Sequence, residues 1–188
     1  MNYYASFIMS LTNNVGFKDV IGGIKDCILP FRTDPSQFRP RQVQFLNLNA
    51  GLHCLLTATN FPIDSEVLIT GFASSAMLRV LKLHGLRPVS VDLDLETMEC
   101  AVDILSLITA NTKMLIVNHV FGAAISVPMT KAIPNVLILE NLSSTFQYQG
   151  SALCDVKMYD IPLGGGLLHF KDTALRDRVN MKPLYYCG

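Results

Sequence analysis

Few residues of this chain have side chains suited to chemistry, and they are far apart in the sequence. No two of the four histidines have the spacing of a metal-ligand pair; they are His53, His84, His119 and His169. His119 follows a predicted strand, where open α/β sheets hold their ligands, although a hydrogen-bonded structural histidine is the favoured interpretation. The run Ser143-Ser144-Thr145 has no base beside it. The sequence therefore predicts neither a nucleophile nor a metal site.

The glycines and cysteines add no further motif. Gly22-Gly23 and Gly164-Gly165-Gly166 match neither the dinucleotide fingerprint nor the P-loop, and the triple glycine is typical of a tight turn between strands. The five cysteines are scattered and odd in number, which fits neither a disulfide framework nor a zinc site. We therefore expect an intracellular protein in a reducing compartment, the cytoplasm or the mitochondrial matrix.

Alternating strands and helices must position these residues. The periodicity predicts strands at 66–70, 88–92, 114–118 and 136–140, and helices at 50–60, 74–84, 98–107 and 172–181. A helix or turn is expected at 126–133, and two later strands flank the triple glycine. We expect Asn49 to cap the first helix. The alternation predicts an α/β fold with a mainly parallel sheet and helices on both faces.

Composition suggests one domain with a partner. Residues 1–41 are predicted to be an N-terminal arm and linker, because the segment from Pro30 to Arg41 holds three prolines and four charged residues; residues 42–188 form the domain. Only 16% of the residues are charged, against roughly 25% in ordinary domains, so another chain is expected to cover part of the surface. Balanced charges disfavour nucleic acid, and no apolar run reaches the ~20 residues of a membrane span.

A series of short motifs follows the predicted arm. In order they are VLIT (67–70), GLRPVSVDLD (85–94), ITANTK (108–113), NHVFG (118–122), the strand ending Glu140-Asn141, Cys154-Asp155-Val156 and the triple glycine. This set resembles the DegT/DnrJ/EryC/StrS sugar aminotransferases, which are fold-type-I enzymes that depend on pyridoxal phosphate (PLP). The resemblance implies the large domain of such an enzyme. Because the chain ends at Gly188, we expect the small C-terminal domain to be absent.

The resemblance implies four requirements for catalysis, and the first is a lysine that forms a Schiff base with PLP. In the family this lysine lies well after the aspartate that matches Asp155, just before the glycine run. Here the only lysine in that interval is Lys157, two residues after Asp155. We therefore expect that the lysine-bearing segment is deleted and that Lys157 is a solvated strand residue. A substitute role for Lys157 is the alternative.

The other three requirements concern the ring and the phosphate of PLP. The acidic partner of the ring nitrogen matches Asn141, which is neutral. The phosphate cradle matches Asn47-Leu48-Asn49, where Leu48 replaces a glycine and obstructs close backbone approach. Phe72 lies near the position of the ring-stacking residue, although a core phenylalanine is the favoured interpretation. Asn49, Phe72 and Asn141 are thus degenerate equivalents of cofactor-binding residues, and we expect PLP to be lost and no catalytic residue or cofactor to remain.

These expectations favour a non-catalytic, aminotransferase-like subunit, a pseudoenzyme that serves as scaffold or interaction module in a larger homo- or hetero-oligomer. Two alternatives stay open. One is a disabled subunit that supports a catalytically competent paralogue in a heterodimer. The other is an active PLP-dependent sugar aminotransferase-like enzyme that uses a different lysine, or a binder of another small molecule.

The isolated chain is predicted to self-associate. Its fifteen basic and fifteen acidic residues leave no net charge to keep copies apart, and uncovered apolar surface supplies attraction. Sedimentation velocity at micromolar concentration should show oligomers or aggregates. In its native complex the chain should bury more than ~1,000 Å², partly through the Pro30 to Arg41 arm. A soluble monomer without an extensive interface would contradict this prediction.

Overall fold

A seven-stranded sheet organises the part of the chain that the computed structural model describes, residues 41–94, 96–97, 99–119, 124–125, 133–145, 150–160 and 165–180. The strands are β1 (Gln42–Phe45), β2 (Glu66–Thr70), β3 (Arg87–Val91), β4 (Leu93–Asp94), β5 (Glu99–Cys100), β6 (Thr112–Asn118), β7 (Leu137–Asn141), β8 (Val156–Asp160) and β9 (Gly166–Phe170). The main sheet has the order β1-β9-β8-β7-β6-β2-β3, and β4 pairs with β5 separately. Strands β3, β2, β6, β7 and β8 are parallel, whereas β9 and β1 are each antiparallel to their neighbours.

Side-chain caps fix where the helices begin. The helices are α1 (Leu48–Thr59), α2 (Ser75–Leu83), α3 (Ile104–Leu107) and α4 (Thr173–Asn180). Asn47 accepts a hydrogen bond from the backbone N–H of Ala50 at 2.8 Å, and Ser74 accepts one from Met77 at 3.1 Å. The prediction that Asn49 caps the first helix is therefore wrong. Asn47 has the extended backbone of a cap, while Asn49 already lies inside α1.

The sheet buries apolar side chains on both faces. Val67, Ile69 and Ile116 pack on one face with α1, α2 and α4. Leu68 and Leu115, which alternate with them along the same strands, pack on the other face against Ile104 of α3. This arrangement confirms the predicted α/β fold with a mainly parallel sheet and helices on both faces.

Two predictions of local structure are wrong. The helix expected at 98–107 is reduced to α3, because residues 99–100 pair with β4 and Asp103 caps a helix that starts only at Ile104, accepting a hydrogen bond from Leu105 N at 3.0 Å. Strand β1 was missed, since its partner β9 is far away in the sequence. The predicted arm up to residue 40 and most of the segment 126–133 lie outside the described residues, so the domain boundary stays a prediction. Within the described ranges, every helix is too short or too polar to span a bilayer.

A buried carboxylate joins three strands at the amino edge of the sheet. Glu66 accepts hydrogen bonds from Thr109 Oγ1 at 2.7 Å and Thr112 Oγ1 at 3.0 Å, and it forms an ion pair with Arg87. The hydrogen bond from Thr109, followed by that from Thr112 and the Arg87 charge, holds the pKa of Glu66 below its ordinary value despite burial. The ionised carboxylate therefore ties β2 to β3 and to the start of β6.

Glu66→Gln is predicted to lower the free energy of unfolding at neutral pH. Because the pKa of Glu66 is depressed in the folded state, its stabilisation is present above the ordinary pKa of 4.5 and is lost as the pH falls through the folded-state value. In urea denaturation at neutral pH, the free energy of unfolding of the variant should be lower than that of wild type. This difference should shrink towards pH 3. Glu96→Gln, at an exposed position, is the matched control and should leave stability unchanged. An equal effect of both substitutions would contradict the prediction.

Candidate functional site

A cavity of about 280 Å³ opens at the carboxyl edge of the parallel strands. In open α/β sheets, ligands bind in the crevice outside this edge. The cavity is bounded by the start of α1, the segment between β2 and α2, the ends of β6 and β7, and β8. Its lining residues are Leu48, Asn49, Phe72, Ser74, Met77, Asn118, His119, Asn141, Ser143, Ser144 and Met158.

A pair of asparagines lies at the base of this cavity. Asn118 and Asn141 are the last residues of β6 and β7 and occupy opposed positions in the parallel register. Asn141 Nδ2 donates to Asn118 Oδ1 at 3.0 Å, and Asn141 Oδ1 accepts from the backbone N–H of Ser143 at 3.2 Å. The Asn118 backbone N–H donates to Thr70 Oγ1 at 3.3 Å, which extends the connection to β2. The carboxyl ends of the three central strands are therefore joined through side chains.

His119 lines the cavity as a neutral imidazole. Only 1% of its surface is exposed, and its Nδ1 accepts the backbone N–H of Ile125 at 2.9 Å. A nitrogen that accepts a hydrogen bond carries no proton, so the proton of the neutral ring is on Nε2. Burial lowers the pKa of His119 to about 4. The favoured interpretation, a hydrogen-bonded histidine, agrees with this geometry, although the residue also borders the cavity.

A close backbone contact positions the start of α1 beside the cavity. A Cβ atom at Gly166 would lie 2.8 Å from the Asn47 carbonyl carbon and 2.8 Å from the Leu48 nitrogen. Only glycine lets β9 approach the loop before α1 so closely. Of the N–H groups at the start of α1 that lack an intrahelical acceptor, that of Ala50 is satisfied by the Asn47 side chain, while Gly51 N donates to the Asn47 carbonyl at 3.2 Å as the first regular bond of the helix.

The cavity has no charged wall. Among the described residues that line it, there is no aspartate, glutamate, lysine or arginine, and its single histidine is neutral. The polar groups that it offers are the amides of Asn118 and Asn141, the hydroxyls of Ser74, Ser143 and Ser144, and the imidazole. Such groups orient a ligand through hydrogen bonds but do not neutralise a charge.

Lys157 lies on the opposite face of the sheet from the cavity. Its partner in the register is Glu140, while the next position pairs Met158 with Asn141, which line the cavity. A Cβ at Gly150, beyond the other face, would be 2.9 Å from Lys157 Cε and would also meet the Glu140 carboxylate. Glu140 is 3% exposed and accepts Ser151 N at 2.7 Å; burial is the main cause that raises its pKa. A substitute role for Lys157 in this cavity therefore conflicts with the register.

The structure brings together the three sequence-predicted equivalents of cofactor-binding residues. Asn49, Phe72 and Asn141 come from three different elements and line one cavity, although their role towards a ligand stays a prediction. The sequence reasoning missed Asn118 as the partner of Asn141. Its position at a strand end, directly before His119, was the available signal.

The fold is that of an aminotransferase large domain, as solved structures indicate. An aminotransferase TlmJ from Streptoalloteichus hindustanus matches with a TM-score of 0.60 and 20% identity, over 74% of this chain and 42% of that chain. A putative sugar aminotransferase Spr1654 from Streptococcus pneumoniae, described in its PLP-form, matches with a TM-score of 0.57 and 19% identity, over 78% and 43% of the two chains. The structure of ntda from Bacillus subtilis, described with bound cofactor PMP, matches with a TM-score of 0.59 and 15% identity, over 73% of this chain and 35% of that chain.

The sequence comparison identifies the family. The model of the DegT/DnrJ/EryC1/StrS aminotransferase family matches residues 43–140, which is more than half of the chain. The chain belongs to this family, and the resemblance inferred from the motifs is confirmed. The chain spans less than half the length of each of the three solved structures.

The expectation that PLP has been lost is wrong. The family is one of PLP-dependent aminotransferases, and its solved neighbours include one in PLP-form and one with bound PMP. Nothing in the comparisons indicates loss of the cofactor. The inference of loss treated each changed residue separately, whereas the positions that match the ring and phosphate partners still border a single cavity at the ligand-binding edge of the sheet.

His119→Asn is predicted to reduce the pH dependence of stability. Because the pKa of His119 falls from 6.5 to about 4 on folding, the unfolded state binds more protons between these values. The stability that the protein has with a neutral His119 is therefore fully present above pH 6.5. It decreases as the pH falls towards 4, because protonation of this histidine favours the unfolded state. Wild type should lose about 2 kcal/mol from this group between pH 7.5 and pH 5. Asparagine keeps an acceptor for Ile125 N but does not titrate.

Urea denaturation of both proteins at the two pH values measures this difference. The change in unfolding free energy between pH 7.5 and pH 5 should be smaller in the variant than in wild type by about 2 kcal/mol. Identical pH dependence in the two proteins would mean that His119 is not held neutral in the folded state.

Proposed function

We propose that this chain is a non-catalytic subunit of the aminotransferase family that holds PLP in the cavity without a covalent bond and acts through a protein partner. The observation that carries the proposal is the position of Lys157. This lysine is the only candidate between Asp155 and the glycine run, and its side chain lies on the face away from the cavity. In the described part of the chain, no lysine lines the cavity.

The residues around the cavity fit a substituted pyridine ring held by hydrogen bonds and packing. The amides of Asn118 and Asn141 would hold the polar edge of the ring, and the side chain of Phe72 would pack against its face. The start of α1 at Leu48 and Asn49 would face the phosphate, which a helix N-terminus favours through its N–H groups and dipole. When bound, PLP supplies an aldehyde that condenses with amines and a ring that accepts electrons.

The chain's own groups are suited to orienting a ligand and not to moving a proton. A general acid or base works best when its pKa lies near the operating pH. Among the described lining residues, His119 is the single group that could titrate, and burial lowers its pKa to about 4. Met77 and Met158 add apolar walls that exclude water. These features support binding without catalysis.

Two surface features support action through a partner. Ile63 and Leu83 are 78% and 79% exposed, which is unusual for large apolar side chains so close to a well-packed core. Phe72 is 59% exposed although it lines the cavity, so the cavity is open on that side. A second chain would cover such a surface, and the whole would then serve as a scaffold or interaction subunit.

The open side of the cavity also favours one alternative, in which a catalytically competent paralogue pairs with this chain. The paralogue would then contribute the lysine that the described part of this cavity lacks. Purification of the native complex separates the two proposals. Copurification with a homologue that carries the family's lysine, and transamination only by the pair, would favour the alternative.

The binding proposal predicts reversible, noncovalent retention of PLP. Equilibrium dialysis should give about one PLP per chain, and dialysis should remove it. Borohydride reduction followed by peptide mass spectrometry should find no stoichiometric adduct on any lysine. Asn141→Leu should weaken binding by roughly tenfold or more, because it removes hydrogen bonds inside the cavity. Asn111→Leu, at an exposed position outside the cavity, is the matched control and should bind like wild type.

Two results would overturn the proposal. A stoichiometric adduct on one lysine would show covalent attachment and would favour the active-enzyme alternative. Equal loss of binding in both variants, or no binding by wild type, would mean that the cavity does not hold PLP.

A further inference from the structure

We infer that the cavity holds a heteroaromatic ring with its nitrogen unprotonated, so that the ligand's ring is electrically neutral when bound. This inference rests on the proposed function for the identity of the ligand as PLP. It goes further because it assigns a protonation state from the hydrogen bonds and charges of this chain's own residues.

The orientation of the two amides is fixed by their surroundings. The Ser143 backbone N–H can only donate, so the group of Asn141 that it contacts at 3.2 Å must be the oxygen Oδ1. Asn141 Nδ2 then faces Asn118 and donates to its Oδ1 at 3.0 Å. One hydrogen of Nδ2 is used in this bond, and within the described ranges no acceptor takes the other, which we assign to an atom of the ligand.

A ring nitrogen beside this donor must be an acceptor. An unprotonated pyridine nitrogen has a lone pair in the ring plane and accepts an N–H, whereas a protonated one is itself a donor. The remaining acceptors of the pair are amide oxygens, which carry no formal charge. Asn118 is only 2% exposed, so a cation placed there would lose its hydration without gaining a counter-ion, at a high free-energy cost.

No described group supplies the missing negative charge. At the start of α1 the lining residues are Leu48 and Asn49, and before α2 they are Phe72 and Ser74, none of which titrates near neutral pH. At the end of β6, His119 is held neutral because its Nδ1 accepts Ile125 N.

The remaining walls are also uncharged. Ser143 and Ser144 follow β7, and β8 contributes Met158. The nearest carboxylate in the sequence is Glu140, adjacent to Asn141, but it lies on the other face of the sheet and accepts Ser151 N at 2.7 Å. The uncharged state is therefore shared by all the described residues that line the cavity.

The test uses PLP labelled with ¹⁵N in the ring. In the wild-type complex at pH 7.5, the ¹⁵N chemical shift should be that of an unprotonated nitrogen, and it should remain so to lower pH than in free PLP. Asn141→Asp places a carboxylate in the cavity and should move the resonance to the protonated position at the same pH. Asn111→Asp, outside the cavity, is the matched control and should leave the resonance where wild type has it.

A second measurement does not depend on a variant that folds or on PLP itself. Wild-type protein is titrated with 3-methoxypyridine and with its N-methyl derivative, which is a cation at every pH, and binding is followed by NMR. The neutral ring should bind tighter by roughly tenfold or more, since loss of a counter-charge is equivalent to about 1–3 pKa units. In Asn141→Asp this preference should shrink or reverse.

The outcomes separate this inference from the proposed function. A protonated nitrogen in the wild-type complex overturns the inference and leaves noncovalent PLP binding in place. A lysine adduct overturns the proposed function, while the ¹⁵N shift still reports the state of the ring. If PLP does not bind, equal affinity for the two methoxypyridines, or no binding of the neutral one, overturns the inference as well.

Discussion

The parallel register of β2, β6 and β7 is the constraint on which the rest of the site depends. Because these strands run in the same direction, Thr70, Asn118 and Asn141 reach the same edge of the sheet. Asn118 N donates to Thr70 Oγ1, and Asn141 Nδ2 donates to Asn118 Oδ1, so side chains join the three strand ends. The segments that follow these strands therefore begin at the same edge of the sheet and border one cavity.

Along β7 and β8, successive side chains point to opposite faces of the sheet. Adjacent residues of these strands therefore lie in chemically different environments. Asn141 and Met158 face the cavity, whereas Glu140 and Lys157 face the opposite side, beneath Gly150. Glu140 accepts the backbone N–H of Ser151 and so holds the segment that carries it, whereas Asn141 and Met158 border the cavity. A sheet buried on both faces makes this assignment strict, because a one-residue change of register would exchange every side chain between the faces.

The two edges of the sheet also differ in charge. At the amino edge, Glu66 is ionised and is satisfied by Thr109, Thr112 and Arg87, an arrangement that contributes to stability. At the carboxyl edge, the described lining residues offer only uncharged hydrogen-bonding groups. The family's fold is therefore combined with a cavity whose described lining residues carry no charge.

The sequence by itself determined the alternation of strands and helices, the family, and the positions of Asn49, Phe72 and Asn141, because local periodicity and motif order depend on neighbouring residues. It misplaced the cap of α1, overextended the helix before β6 and missed β1, whose partner β9 is distant in the chain. Only the tertiary structure decided that Asn118 pairs with Asn141, that Lys157 faces away from the cavity, and that the described residues lining the cavity carry no charge. The physical reason is that strand register and burial are set by contacts between segments, which no local pattern specifies.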